Sequence, residues 1–324
     1  MRVLSGIQPT GAIHIGNYLA AIKQFVALQE NNECVYFIAD LHALTESYEP
    51  KDFQKNILDA AISYLACGLD PKKCILLVQS HVKEHAELAW LLSTVAPAGD
   101  LLRMTQYKEK ANQFKQNINA GLLNYPILMA ADILLYKPDI VPVGQDQKQH
   151  IELARTIAKK FNHKFGSTFT VPSGQILKTG AKIMGLDNPK KKMAKSRPQS
   201  CLFLFDEPET IQKKIMSAVT DTGKTIKYDP KRKAGISNLL TIYSLFSGES
   251  IKALEKKFEG KGYAEFKKSL AKVLIENLEP FRRKRKELLS REIYIKELLN
   301  QGAKRAQVIA SSTMADVRRK MGLT

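Results

Sequence analysis

The sequence predicts an α/β protein: a Rossmann-like, doubly wound parallel sheet with a helical connective insertion and an all-α C-terminal domain. Three observations carry this. In the first half, near-continuous apolar runs alternate with amphipathic helical stretches, the pattern of a parallel sheet covered on both faces. Between about 84 and 136 the pattern is helical without a clear strand, which reads as an insertion between the two halves of the sheet. From about 205 onward the chain is helical and basic. The boundaries follow: a catalytic domain over 1–200, and a helical domain over 201–324 whose terminal helix is free to pack back on the first.

In chain order, Val3 and Leu4 form a short strand that runs into a loop carrying Gly6, Pro9 and Gly11. Leu19, Ile22, Phe25 and Val26 then recur at helical spacing, so a helix opens near His14. A strand, a glycine loop and a helix N-terminus together favour an anion, because the first helical N–H groups lack internal partners. Gly16 lets a ligand approach the backbone. His14 and Asn17 share a face of the first turn, and both can donate to a phosphate. No Gly-Lys-Ser/Thr follows, so this is not a Walker loop, and the spacing of the dinucleotide fingerprint is also missing.

A strand at 34–39, a helix at about 51–67 and a strand at 74–79 come next. The 121–136 helix is apolar nearly all round and hence buried, yet it carries Asp132. A buried carboxylate must be hydrogen-bonded, so Asp132 is either a structural cap or an acceptor aimed into a pocket. Tyr125, Met129 and Asp132, at i, i+4 and i+7, share one helix face. Strand 140–143 ends in Gly144-Gln145-Asp146-Gln147, where an open sheet can hold a ribose hydroxyl, and a helix runs from Lys148 to about Phe161. An N-cap by Asp146 is compatible with that role. His150 reads as a packing residue, and His42, His81, His85 and His163 as structural or surface.

Past 165, Gly166, Pro172, Gly174, Gly180, Gly185, Pro189 and Pro198 break regular structure around a lysine-rich loop, Lys190 to Ser196. Asp206-Glu207-Pro208-Glu209 starts a helix. Further helices are expected at about 236–247, 249–258, 263–277, 280–299 and 302–320.

The formal net charge of +18 is lopsided. Residues 1–150 hold 13 Lys and Arg against 15 Asp and Glu; residues 151–324 hold 37 against 17. A neutral half joined to a basic half fits an enzyme domain attached to a polyanion-binding domain, although a solubilising lysine surface gives the same count. No charge-free apolar run of membrane length is present, and because the sequence enters a strand almost at once no signal peptide is expected. Cys34, Cys67, Cys74 and Cys201 form no CxxC pair and no metal spacing, so reduced cysteines, no protein-held metal and a cytoplasmic location are expected.

The pair His14-x-Gly16-Asn17 and Lys192-Met193-Ala194-Lys195-Ser196 resembles the HIGH and KMSKS signatures of class I aminoacyl-tRNA synthetases. Asn17 replaces the second His, and Ala194 the first Ser. From Ser5-Gly-Ile-Gln-Pro-Thr-Gly11 through Val143-Gly-Gln-Asp-Gln147 to the last helices, nearly the whole chain resembles the bacterial tryptophanyl-tRNA synthetases. The resemblance implies an ATP-dependent ligase that forms tryptophanyl-adenylate and pyrophosphate, then passes tryptophan to the 3′ end of tRNA(Trp). It implies a homodimer formed through the insertion, an anticodon-binding role for the helical domain, and magnesium bound through the ATP phosphates.

For the residues, the resemblance implies that His14, Asn17, Lys192 and Lys195 are catalytic. ATP is faced by Gln8, Pro9, Thr10, Gly16, Asn17, Gly144, Gln145, Asp146, Ile183, Lys192, Met193, Ala194, Lys195 and Ser196, with Gln8 and also Lys110 matching weaker contacts. Tryptophan is faced by Asp132, Met129, Tyr125, Gln147 and His42. Asp132 accepts the indole N–H, and Met129 stands where tyrosyl enzymes typically carry Gln. Leu4 departs from an expected aromatic beside the indole. A small nucleotidyltransferase would lack the lysine loop and the basic half, and a non-catalytic RNA-binding descendant would usually lose one phosphate motif.

Overall fold

The structure is a computed structural model that describes residues 1–9, 11–105, 107–108, 119–144, 147–176, 183–195, 197–223 and 225–324. Five parallel strands, β1 (Arg2–Ile7), β2 (Glu33–Ile38), β3 (Cys74–Val78), β4 (Ile140–Val143) and β5 (Ser173–Ile176), lie in the order β3-β2-β1-β4-β5. The order reverses between β1 and β4, so the crevice beyond their carboxyl ends is the natural ligand site of such a sheet. Alternate side chains serve opposite faces. Val3, Cys34, Tyr36, Ile38, Cys74 and Leu76 enter one core cluster; Leu4, Val35, Phe37, Ile75 and Leu77 enter the other.

The segment after the first loop is helical from 15 to 28: α1 (Ile15–Asn17), a π-helical turn Tyr18–Ile22 and α2 (Lys23–Leu28). A short α3 (Asp40–Ala43) follows β2, and α4 (Pro50–Ala66) covers the first face. The insertion supplies α5 (Glu84–Ser93), α6 (Ala98–Arg103) and α7 (Ala120–Leu135), and α8 (Lys148–Phe165) follows β4. The basic half forms α9 (Pro208–Ser217), α10 (Ala234–Ser247), α11 (Ile251–Lys257), α12 (Tyr263–Leu289) and α13 (Glu292–Met321). All four cysteines are buried free thiols.

The structure departs from the sequence-based expectation in three places. β5 was not expected, because Ser173-Gly174-Gln175 lacks β-branched residues; pairing with β4 makes it a strand all the same. Pro280 does not start a helix but lies within α12, beside the buried Arg282, whose Nη2 donates to the Ile275 carbonyl at 2.8 Å. Nor does a helix start at Gly302: α13 opens at Glu292, inside the expected 280–299 helix, and carries Gly302 in its interior. A Cβ there would stand 1.9 Å from the Leu76 carbonyl oxygen, so α13 needs glycine where it crosses β3. Because β3 is an edge strand, Leu76 turns a backbone N–H and C=O away from β2. Residue 302 lies over that edge, and Arg305 Nη1 donates to the Cys74 carbonyl two residues back, at 3.2 Å. The helix thus covers an edge that would otherwise invite pairing.

Candidate active site

His14 caps the helix that starts at Ile15. The Asn17 N–H donates to His14 Nδ1 at 3.2 Å, and the His14 N–H donates to Asn17 Oδ1 at 3.3 Å. A ring nitrogen that accepts carries no proton, so neutral His14 bears its hydrogen on Nε2 and can donate outward. Burial, then the charges of Lys195 and Lys192, lower its pKa to about 4, which keeps the ring neutral at neutral pH. Asn17, its oxygen engaged, keeps its amide N–H groups as donors. Gly16 serves a second purpose beyond ligand approach. A Cβ there would meet the His14 ring at 2.9 Å, so the ring can lie over residue 16 only if it is glycine.

The expected bare helix N-terminus is partly satisfied by the protein itself. Ile15 N–H donates to the Leu202 carbonyl at 3.0 Å, and Leu204 N–H donates to the Ile13 carbonyl at 2.8 Å. This short antiparallel pairing, with a bridge between His14 and Phe203, joins the first motif to the segment after the lysine loop.

That loop is tied down along its backbone. Lys192 bridges Met184, Met193 N–H donates to the Ile183 carbonyl at 3.1 Å, and the Met193 side chain is buried. The Ala194 carbonyl accepts from Arg197 N–H at 2.9 Å and Cys201 Sγ at 3.2 Å. Arg197 donates to the Lys192 carbonyl at 2.9 Å and pairs with Asp187 at 3.0 Å. Met184 is held in turn by Asn238 of α10, which bonds both its N–H and its C=O. Lys192 is exposed, whereas half-buried Lys195 sends Nζ to the Gly11 carbonyl at 3.3 Å. Burial lowers the Lys195 pKa. Two cations and two neutral donors thus converge on the loop after β1.

Beyond β2 and β3 lies a second cluster. Asp132 on α7 is 1% exposed. Its Oδ1 accepts from Gln79 Nε2 and His85 Nδ1, and its Oδ2 from His42 Nε2, each at 2.7 Å. Burial would raise its pKa, but the charge and hydrogen bond of His42, then the hydrogen bond of His85, overcome this and hold it at about 2. Tyr125 is buried, its hydroxyl 2.9 Å from His150 Nε2, and its ring lies 6.3 Å from His42 in a T-shaped arrangement. Met129 is half-buried on the same helix face. Gly144 and Gln147 are half-buried where β4 leads into α8. Gln8 and Pro9 follow β1, and Leu4 is buried in the second core cluster. Thr10, Lys110, Gln145, Asp146 and Ser196 lie outside the described residues.

Sequence reasoning missed Gln79 and His85 as companions of Asp132. The usable signals were position: Gln79 directly follows a buried parallel strand, and His85 shares an apolar face with Leu88 and Leu92.

A family model described as tRNA synthetases class I (W and Y) matches residues 1–279. The chain belongs to this family. A tryptophan–tRNA ligase of Caldanaerobacter subterraneus subsp. tengcongensis is 52% identical over 99% of this chain and 98% of that one. Among solved synthetases of the family, the tryptophanyl-tRNA synthetase of Campylobacter jejuni complexed with ADP and tryptophan superposes with a TM-score of 0.87. It is 41% identical, over 99% of this chain and all of that one. That of Mycoplasma pneumoniae also gives 0.87, at 36% identity over all of this chain and 98% of that one.

Proposed function

We propose that this tryptophan–tRNA ligase forms tryptophanyl-adenylate at the carboxyl edge of the sheet and charges tRNA(Trp) with the basic half. The observation that carries the reading is the pairing of residues 13–15 with 202–204, which sets neutral His14 and cationic Lys195 at one loop mouth. Attack of the tryptophan carboxylate on the α-phosphorus needs no nucleophilic side chain; positioning and charge stabilisation suffice. His14 Nε2 and the Asn17 amide donate to the triphosphate, while Lys192 and Lys195 neutralise the departing pyrophosphate. Gln8, Pro9, Gly16, Gly144, Ile183, Met193 and Ala194 border the nucleotide, with Thr10, Gln145, Asp146 and Ser196 as sequence-based members of that set.

The Ala194 methyl cannot lend a hydroxyl, so the loop acts on phosphate through its two lysines. Among the described residues no three carboxylate, histidine or cysteine side chains converge on a metal position. Magnesium would accompany ATP on its phosphates, and no step is assigned to it. Tryptophan lies along Tyr125, Met129 and Asp132, with His42 and Gln147 beside it, and its N–H donates to Asp132 Oδ2, the oxygen with a single protein partner.

The net positive charge after residue 150 supplies phosphate contacts to tRNA from the 201–324 helices. The homodimer uses the face between α3, α5 and α7, where Trp90, 72% exposed, borders an apolar cavity of about 420 Å³ with Leu44, Ile127 and Leu128. No helix of the described residues is long and apolar enough to cross a membrane, and the working location is the cytoplasm.

The deciding experiment is amino-acid-dependent exchange of labelled pyrophosphate into ATP, run across all standard amino acids. Exchange with tryptophan alone is expected; no exchange, or equal exchange with tyrosine, would sink the reading.

A further inference from the structure

We infer that His85, gripped by Tyr136, is a positioning residue that fixes which oxygen of Asp132 is offered to the indole; this rests on Asp132 being the indole acceptor. An ionised carboxylate only accepts hydrogen bonds, so all three of its protein partners must donate. Oδ1 receives two of them, from Gln79 and His85, and is saturated in its plane. Oδ2 receives one, from His42. Oδ2 therefore keeps acceptor capacity for a fourth donor, and its one partner, His42, meets Tyr125 edge-on.

This asymmetry depends on His85 presenting a proton on Nδ1. A neutral imidazole does so only if Nε2 accepts, and the Tyr136 hydroxyl stands 2.8 Å from Nε2. Tyr136 lies one turn after Asp132, so the two residues hold the imidazole by both nitrogens. The ring has no freedom to rotate: it is fully buried, and Phe37 packs against it with centroids 5.8 Å apart. Burial, then the negative charges of Asp132 and Glu84, push the Tyr136 hydroxyl far above its ordinary range, so it keeps the proton that it donates. The arrangement resembles the second partner that orients a metal-bound or catalytic histidine. Here the oriented group is a carboxylate, and what it gains is direction.

A residue that merely packs the core would change stability and leave selectivity alone. The test therefore reads selectivity. Full-length His85→Leu, His85→Asn, Tyr136→Phe and Asp132→Ala are compared by pyrophosphate exchange with tryptophan and with the analogue carrying sulfur in place of the indole nitrogen. The readout is the ratio of the two kcat/KM values, with folding checked by circular dichroism. Asp132→Ala should collapse the ratio. His85→Leu should lower it about tenfold, mainly through the KM for tryptophan, with the KM for ATP unmoved. His85→Asn, whose amide nitrogen stands near the place of Nδ1, should recover most of the loss.

A folded His85→Leu with the wild-type ratio, beside a collapsed Asp132→Ala, overturns the inference and leaves the Asp132 reading intact. If Asp132→Ala also keeps the ratio, the acceptor reading fails and this inference fails with it. If His85→Leu does not fold, Tyr136→Phe decides on the same ratio: a fall supports the positioning role, and no change overturns it.

Discussion

Gly302 of α13 meets the Leu76 carbonyl of β3 so closely that even a methyl group would have to displace backbone. Neither the strand carbonyl nor the helix can give way locally, because β3 is paired to β2 on its other side. Gly302→Ala should therefore cost about 1–3 kcal/mol of stability. The check is thermal unfolding: Tm should fall by several degrees, while adenylate formation per folded molecule stays near wild type.

Lys195→Ala should slow adenylate formation by roughly two to four powers of ten, through lost stabilisation of charge on the departing phosphates. Tryptophan affinity without ATP should stay unchanged, because Lys195 faces the Gly11 loop and not the Asp132 cluster. Single-turnover kinetics with separate tryptophan titration would measure both. Normal turnover would show the lysines to be a solvated surface run.

His14 gives a pH signature. Its folded pKa of about 4 lies below its ordinary 6.5, so the unfolded chain binds this proton more readily. The stability that neutral His14 contributes is fully present above pH 6.5 and is lost as the pH falls from there through 4, by at most about 3 kcal/mol. Asparagine is a good N-cap with no such titration. Denaturant unfolding of wild type and His14→Asn at pH 7 and pH 4.5 should show the wild type losing more across the interval. Equal losses would contradict the assignment.

Binding of tRNA should weaken steeply with salt, with a log–log slope of several units, because many Lys and Arg follow residue 150. Filter binding between low and physiological salt would measure it. A flat response would remove the basic half from the interface.

The strands β1 to β4 were legible because their apolar runs and the intervening periodic helices state both burial and direction. Asp132 was legible as well, since a carboxylate inside an apolar helix demands partners. Its partners were not legible. Gln79, His85 and His42 come from three elements, and nothing local marks a meeting set by how the helices pack on the sheet. β5 escaped notice because Gly174 is there for space: a Cβ would meet the Ile151 side chain at 2.9 Å, so the glycine that looked like a break is a packing requirement of α8. Gly302 misled for the same reason.

The hydrogen bond from Ile15 to Leu202 closes a loop on the order of 190 residues, an entropic cost met only by contacts that form with it. Synthesis runs from the N-terminus, and domains form as their residues emerge. Every residue of the cluster around Asp132 and Tyr125 precedes residue 151, whereas the mouth holding His14 and Lys195 is closed only once residue 204 has left the ribosome. Both sites nevertheless wait for later segments: the nucleotide mouth for residue 204, and β3 and α5, next to and on which Gln79 and His85 sit, for α13, whose Ser311 and Arg318 bond Glu84 and Glu87.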